Sequence, residues 1–205
     1  MNAKYVWSSA LLLLPLGAVV SFSQGQDKQA TPASAPTDDP MKLKMKEYAT
    51  PGPSHKVLDA KVGKWTATMK CFADPKAAPM ESKGTSDIKW IMDGRFLQES
   101  FTGDYMGAPF QGQGTYGFDN IKKKYIASWY GNMGTGICLH EGTYDAAKKV
   151  FTFTGEAPDV MTGKFVQERW VDTMKDADHW TMQAYRPGPD GKEFMAMEVQ
   201  YTRSK

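Results

Sequence analysis

From Gly63 to the C-terminus, apolar and polar residues alternate by two in segment after segment. That period belongs to β-strands with one buried face; an amphipathic helix would repeat every three to four residues. "WTATMKCF" sets Trp65, Ala67, Met69 and Cys71 against Thr66, Thr68 and Lys70, and "SDIKWIM" sets Ile88, Trp90 and Met92 against Asp87 and Lys89. "FQGQGTYGF" aligns Phe110, Tyr116 and Phe118, "KVFTFTG" aligns Phe151 and Phe153, and "HWTMQAY" aligns Trp180, Met182 and Ala184. In "FMAMEVQY" the inner set is Met195, Met197, Val199 and Tyr201; in "YIASWY" either face serves as the inner one.

Turn chemistry such as "ADPKAAP", "MDG", "GNMGTG", "KDAD" and "RPGPDGK" separates these segments at nearly regular spacing, giving about ten strands. No helical crossover lies between them, so neighbours are joined by hairpins in an antiparallel meander. A meander of that length leaves two unpaired edges unless it closes, and the expected fold is an all-β, up-and-down β-barrel. A two-sheet sandwich is the alternative. Ahead of the strands, "TPGPSHKVLDAKVG" places Val57, Leu58 and Val62 on one helical face, enough for one or two turns before Gly63. This short N-terminal helix is expected to close one end of the barrel over Trp65, with Gly63 allowing the sharp turn between them.

Gly63-Lys64-Trp65 after a short helix resembles the Gly-x-Trp signature of lipocalin-like (calycin-type) barrels. That resemblance implies that an Arg near the end of the last strand packs on the Trp, and Arg203 in "VQYTRSK" is the matching position. More widely, "PGPSHKVLDAKVGKW", "GRFLQESFTG", "GTYGFDNIKKKYIASWYGNMGTG", "EGTYD" and "PGPDGKEFMAMEVQYTR" resemble the bacterial domain-of-unknown-function family number 1579. The resemblance implies a calycin-like barrel exported from a bacterial cell, and it supplies no catalytic residues.

The first 23 residues read as a signal peptide, with Lys4 ahead of an apolar run from Val6 to Val20 and a small-residue exit at Ser21-Phe22-Ser23. The run is shorter than the roughly 20 residues of a membrane span, so no integral span is expected after cleavage. Residues 24–45 read as a disordered linker, because "QGQDKQATPASAPTDDP" holds no large apolar residue and the basic "MKLKMK" reads as a solvated arm. Residues 46–205 then form the barrel domain, in a periplasmic or secreted protein. Formal charge is +2, or +1 once Lys4 is removed with the signal, which provides no electrostatic footprint for nucleic acid. Cys71 and Cys138 fall on non-adjacent strands, leaving open whether they pair or remain buried thiols.

Inside such a barrel the parity rule brings a few polar groups among the aromatics. His140 shares a face with Cys138 and Tyr144, Glu99 with Leu97 and Phe101, and Glu168 with Val166 and Trp170. A buried carboxylate needs a partner. Trp90, Glu99, Phe101, Tyr116, His140, Glu168 and Trp180 are therefore the candidate pocket residues, unless these groups satisfy one another in a filled core. Gly63, Trp65 and Arg203 are structural candidates. No Gly-x-Ser-x-Gly is present, no paired Cys or His spacing suits zinc, and packing explains Met195-x-Met197 better than a soft metal does. No catalytic residue, metal or cofactor is assigned. The expected function is to bind or carry a small apolar or amphipathic molecule in the barrel. The alternatives are a hydrolase or isomerase using His140 with Glu99 or Glu168, and a filled barrel that acts as an envelope interaction module. Phe96 and either Trp129 or Tyr130 would form the contact patch of the last.

Overall fold

The computed structural model describes residues 39–105 and 107–205; the expected signal peptide and most of the expected linker lie outside the described residues. Ten antiparallel strands form one closed barrel: β1 (Gly63–Cys71), β2 (Met80–Ile91), β3 (Phe96–Tyr105), β4 (Ala108–Asp119), β5 (Lys124–Gly131), β6 (Cys138–Asp145), β7 (Val150–Asp159), β8 (Lys164–Met174), β9 (His179–Pro187) and β10 (Glu193–Arg203). Each strand pairs with its neighbours in sequence, and β1 closes the ring on β10 with Trp65 opposite Arg203 and Cys71 opposite Met197. Closure removes the sandwich alternative and, among the described residues, leaves no free sheet edge running the length of the barrel.

The inner positions are those the alternation selects, because a strand's side chains point to opposite faces in turn. Trp65, Ala67 and Met69 are buried on β1, Phe151 and Phe153 on β7, and Val199 and Tyr201 on β10. In the ambiguous "YIASWY" segment, Tyr125 and Ala127 are buried and Trp129 packs on the core, so the even-numbered residues face out. Two expected inner residues do not follow. Met92 sits in the β2–β3 turn at φ 50°, exposed. Met195 lies across a bulge from Met197: Met197 pairs with Ala184, but Met195 pairs with Tyr185, so the parity flips between them.

A short helix, α2 (Pro53–Lys56), runs into a 3-10 helix at Val57–Lys61 and plugs the end where β1 begins. Leu58 is fully buried there, and Trp90 Nε1 donates to Asp59 at 2.7 Å while Tyr125 OH donates to the Ser54 carbonyl at 3.0 Å. Gly63 has φ 136°, and a side chain on it would collide with the Arg203 guanidinium. Arg203 lies over the Trp65 ring at 4.1 Å and donates to the Val62 carbonyl at 2.8 Å, as the Gly-x-Trp resemblance implies. A further helix, α1 (Pro40–Ala49), begins within the stretch read as linker. Asp39 caps its N-terminus through the Met41 amide, and Asn120 Nδ2 donates to the Tyr48 and Thr50 carbonyls beyond its last turn. No helix among the described residues is long and apolar enough to cross a membrane.

Candidate functional site

Inward polar groups fall into two sets at different heights in the barrel. In the closed half, Lys61 reaches in from the plug and pairs with Asp172 at 2.8 Å, both fully buried. Its ammonium also lies 3.6 Å from the Trp180 ring centroid and 4.6 Å from that of Tyr116, so aromatic faces complete its shell. Burial pushes the Asp172 carboxyl up, opposed by the charge and hydrogen bond of Lys61. Beside them, Glu99 is fully buried and accepts from Ser86 at 2.7 Å, Tyr201 at 3.2 Å and Tyr116 at 3.3 Å. Burial raises its carboxyl too, with the Ser86 hydrogen bond pulling the other way. Tyr201 stacks on Trp180 at 3.8 Å. Hydrogen bonds, aromatic faces and one ion pair surround these groups, with Asp172 Oδ1 and Trp180 Nε1 alone left without a hydrogen-bond partner among the described residues, so this half is a filled core.

The open half is built differently. Here the wall strands carry glycine at inward positions, and neighbouring rings occupy the space a side chain would take. A Cβ on Gly112 would run into Trp129, one on Gly84 or Gly103 into Phe101, and one on Gly131 into Phe110. The rings meet one another: Phe101 and Phe110 lie 5.8 Å apart, and Phe110 stacks on Trp129 at 6.4 Å. Phe110 and Trp129 are only partly buried, so this aromatic wall reaches the mouth of the barrel.

Next along the wall, His140 stacks on Trp170 at 3.8 Å with its ring over Gly155. It is 2% exposed, and among the described residues neither ring nitrogen has a hydrogen-bond partner. Burial lowers its pKa from 6.5 to about 4, so the imidazole is neutral at pH 7. Glu168 Oε2 accepts from Trp170 Nε1 at 2.7 Å and stands 3.6 Å from His140 Nε2, too far for a direct bond and, with a neutral imidazole, no ion pair. Burial raises the Glu168 carboxyl, opposed by the Trp170 bond and by Arg186.

Glu168 also marks a gap in the wall. Pairing of β8 with β9 stops at Arg169 opposite Tyr185, whereas β7 stays paired with β8 out to Lys164 and β9 with β10 out to Glu193. A cavity of about 230 Å³ occupies the gap, with Gln167, Glu168 and Arg169 on one side and Pro187, Gly191 and Glu193 on the other. A second, of about 130 Å³, lies across the rim against Cys71 and Tyr105. Both cysteines are free thiols near the mouth, and burial raises each thiol's pKa.

Of the seven candidate pocket residues, Glu99, Tyr116 and Trp180 belong to the filled half, and Trp90 is tied to the plug through Asp59. Phe101, His140 and Glu168 belong to the open half, so Glu99 and His140 are not brought together. Lys61, Ser86 and Asp172 complete the interior, and the sequence reading does not include them. Parity carries a signal for two of them, since Ser86 shares a face with Ile88, and Asp172 with Trp170. His55 is buried against Phe118 at 5.8 Å and accepts from the Gly52 amide through Nδ1 at 3.0 Å, a local capping role away from the open half.

The barrel is similar to solved structures at low identity. Rv2717c from M. tuberculosis matches at 14% identity and a TM-score of 0.54, over 76% of this chain and all of that one. The S-type phycobiliprotein lyase CPES from Guillardia theta matches at 12% identity and a TM-score of 0.54, over 79% of this chain and 97% of that one. At such identities the likeness extends to the fold alone. No curated protein sequence matches the chain. The family profile described as "Protein of unknown function (DUF1579)" matches residues 50–203, the plug and all ten strands, and the chain belongs to that family.

Proposed function

We propose that the protein is exported and binds a small, mostly apolar molecule at the open mouth of its barrel. The observation that carries this reading is the glycine-backed aromatic wall. Around the mouth four inward positions, Gly84, Gly103, Gly112 and Gly131, leave their volume to Phe101, Phe110 and Trp129 and to the neighbouring backbone. Partly exposed rings in a concave rim, with a few polar groups beside them, have the chemistry of a small-molecule site. The likeness to a phycobiliprotein lyase fold supports the reading as an analogy. Native mass spectrometry of protein purified from its own host tests it. A discrete added mass that is lost on unfolding is the expected result, and a bare mass combined with no uptake of apolar probes such as decane would sink it.

The rim favours a second reading, docking of the mouth to a lipid surface. Val160 and Met161 at the β7–β8 tip are 91% and 93% exposed, and Phe165, Leu139, Ile137 and Met133 are exposed on the same side. The loop "GNMGTGICL" carries no charge, and Asp159 is held by the Met161 amide and the Thr162 hydroxyl. Apolar side chains that protrude from the β7–β8 tip and from an uncharged β5–β6 loop suit insertion into a bilayer boundary better than a flat protein interface. Of the two residues expected to join Phe96 in a contact patch, Trp129 packs inside and Tyr130 is the exposed one. Co-sedimentation with phosphatidylcholine vesicles that is insensitive to salt, and is lost in Val160→Ser/Met161→Ser, is the expected outcome. Self-association without vesicles would replace the lipid with a second copy.

A further inference from the structure

The proposed apolar ligand has to offer something to the polar corner beside the aromatic wall, and resting on that reading we propose that His140 and Glu168 recognise an uncharged hydroxyl head group. The head enters through the gap where β8 parts from β9.

The geometry of the corner sets what fits. His140 is buried, neutral and, among the described residues, without a partner on either nitrogen, so it has one N–H to donate and one lone pair to fill. Glu168 Oε2 stands 3.6 Å from His140 Nε2, and of the two side chains Glu168 is the one that reaches the cavity of about 230 Å³, whose other lining, Thr154, Gln167 and Arg169 among it, opens to the barrel's outer surface. A cavity of that size is on the order of seven waters' share of liquid volume, room for a head group and a few carbons. The rest of the molecule would lie along Phe101, Phe110 and Trp129, which continue the wall: Trp129 pairs with Cys138, two residues from His140 on the same face. A hydroxyl entering beside Glu168 donates to the carboxylate and, as the two side chains part beyond their 3.6 Å, accepts from the imidazole N–H, so His140 receives the partner it lacks and Glu168 gains a second donor beside Trp170 Nε1.

Charge excludes the commonest alternatives. A carboxylate or phosphate head would meet Glu168 with no free cation beside it among the described residues. Arg169 is held by Glu193 through two bonds of 3.0 and 2.6 Å and lies over Tyr185 at 4.2 Å, and Arg186 is paired with Asp159 at 3.6 Å. Bringing an anion in would bury like charge against like charge. An ammonium head could donate to Glu168 and to the imidazole lone pair, and what opposes it is the positive charge of Arg186, which already acts on that carboxyl.

The test is calorimetric titration of the intact protein with 1-decanol, decanoate, decylammonium and decane, each below its aggregation limit, at pH 7.5. Decanol is expected to bind at least tenfold more tightly than either charged homologue. Glu168→Gln is near-isosteric and removes a charge-assisted acceptor, so it should cut decanol affinity by about tenfold or more while leaving decane binding in place. His140→Phe should do the same. Tighter binding of decanoate or decylammonium, or a decanol preference untouched by Glu168→Gln, overturns the head-group assignment and leaves the apolar-ligand reading standing. Failure of all four probes, decane included, overturns that reading and the assignment with it.

Discussion

The two halves of the barrel interior are made from the same residue types arranged to opposite ends. In the closed half every buried charged group has a partner within the chain, Lys61 being enclosed by Asp172, Trp180 and Tyr116, and only Asp172 Oδ1 and Trp180 Nε1 are left over among the described residues. In the open half, His140 has none among the described residues, and the wall thins to glycine behind the aromatic rings. A folded chain retains an unsatisfied buried polar group against a cost of about 1–3 kcal/mol. The contrast therefore separates groups that hold the barrel together from groups kept ready for something else.

Asp172→Ala attacks the closed half at its most sensitive point. It leaves the Lys61 ammonium buried without its carboxylate and should cost about 3–5 kcal/mol in denaturant unfolding. Replacing both partners, Lys61→Met with Asp172→Leu, should recover most of that loss; a double variant as unstable as the single would show that the pair is not the origin. The pH dependence probes the other half. His140 titrates at about 4 in the folded protein against 6.5 for an unperturbed imidazole, so between these values the unfolded chain binds more protons and stability falls as pH falls. Complete loss amounts to on the order of 3 kcal/mol. The raised carboxyls of Glu99, Glu168 and Asp172 act in the opposite sense, so the diagnostic is the difference between wild type and His140→Phe, whose stability should fall less, or rise, as pH falls over this window. Parallel curves would mean that His140 is not a buried neutral base.

Gly112→Ala sharpens the comparison at the wall. The new methyl must displace the far edge of the Trp129 ring, costing about 1–3 kcal/mol, and the displaced indole should lower decane affinity and shift the tryptophan emission. The smallest effect belongs to the gap itself. Glu193→Gln releases Arg169 from a solvent-exposed pair worth about 0.2–1 kcal/mol, so midpoints should barely move while ligand exchange through the gap quickens.

The alternating strands, their closure and the Trp65–Arg203 contact were legible because each follows from a local period or a short motif. The bulge at Met195/Met197 was not, since nothing in "FMAMEVQY" marks where the parity changes. Lys61 was hidden for another reason. In "VLDAKVG" it reads as a solvated helix residue, and only the long-range packing of the plug on β8 brings it to Asp172. Glu99 and His140 both lie inside as their parity requires, but a face assignment carries no height along the barrel axis, and their separation shows only in their contacts, Glu99 with Ser86, Tyr116 and Tyr201 and His140 with Trp170.

The partial seam between β8 and β9 has a mechanical consequence. A barrel is a hoop, and a seam that parts before the rim gives the hoop a place to breathe, as a zip opens from its free end. The inward residues that follow one another down β8 from that point are Glu168, Trp170 and Asp172. One strand thus carries the lip of the gap, the indole beneath His140 and the counter-ion of the plug. Opening at the rim and loosening at the base are motions of a single rod, and amide exchange along β8 would report both.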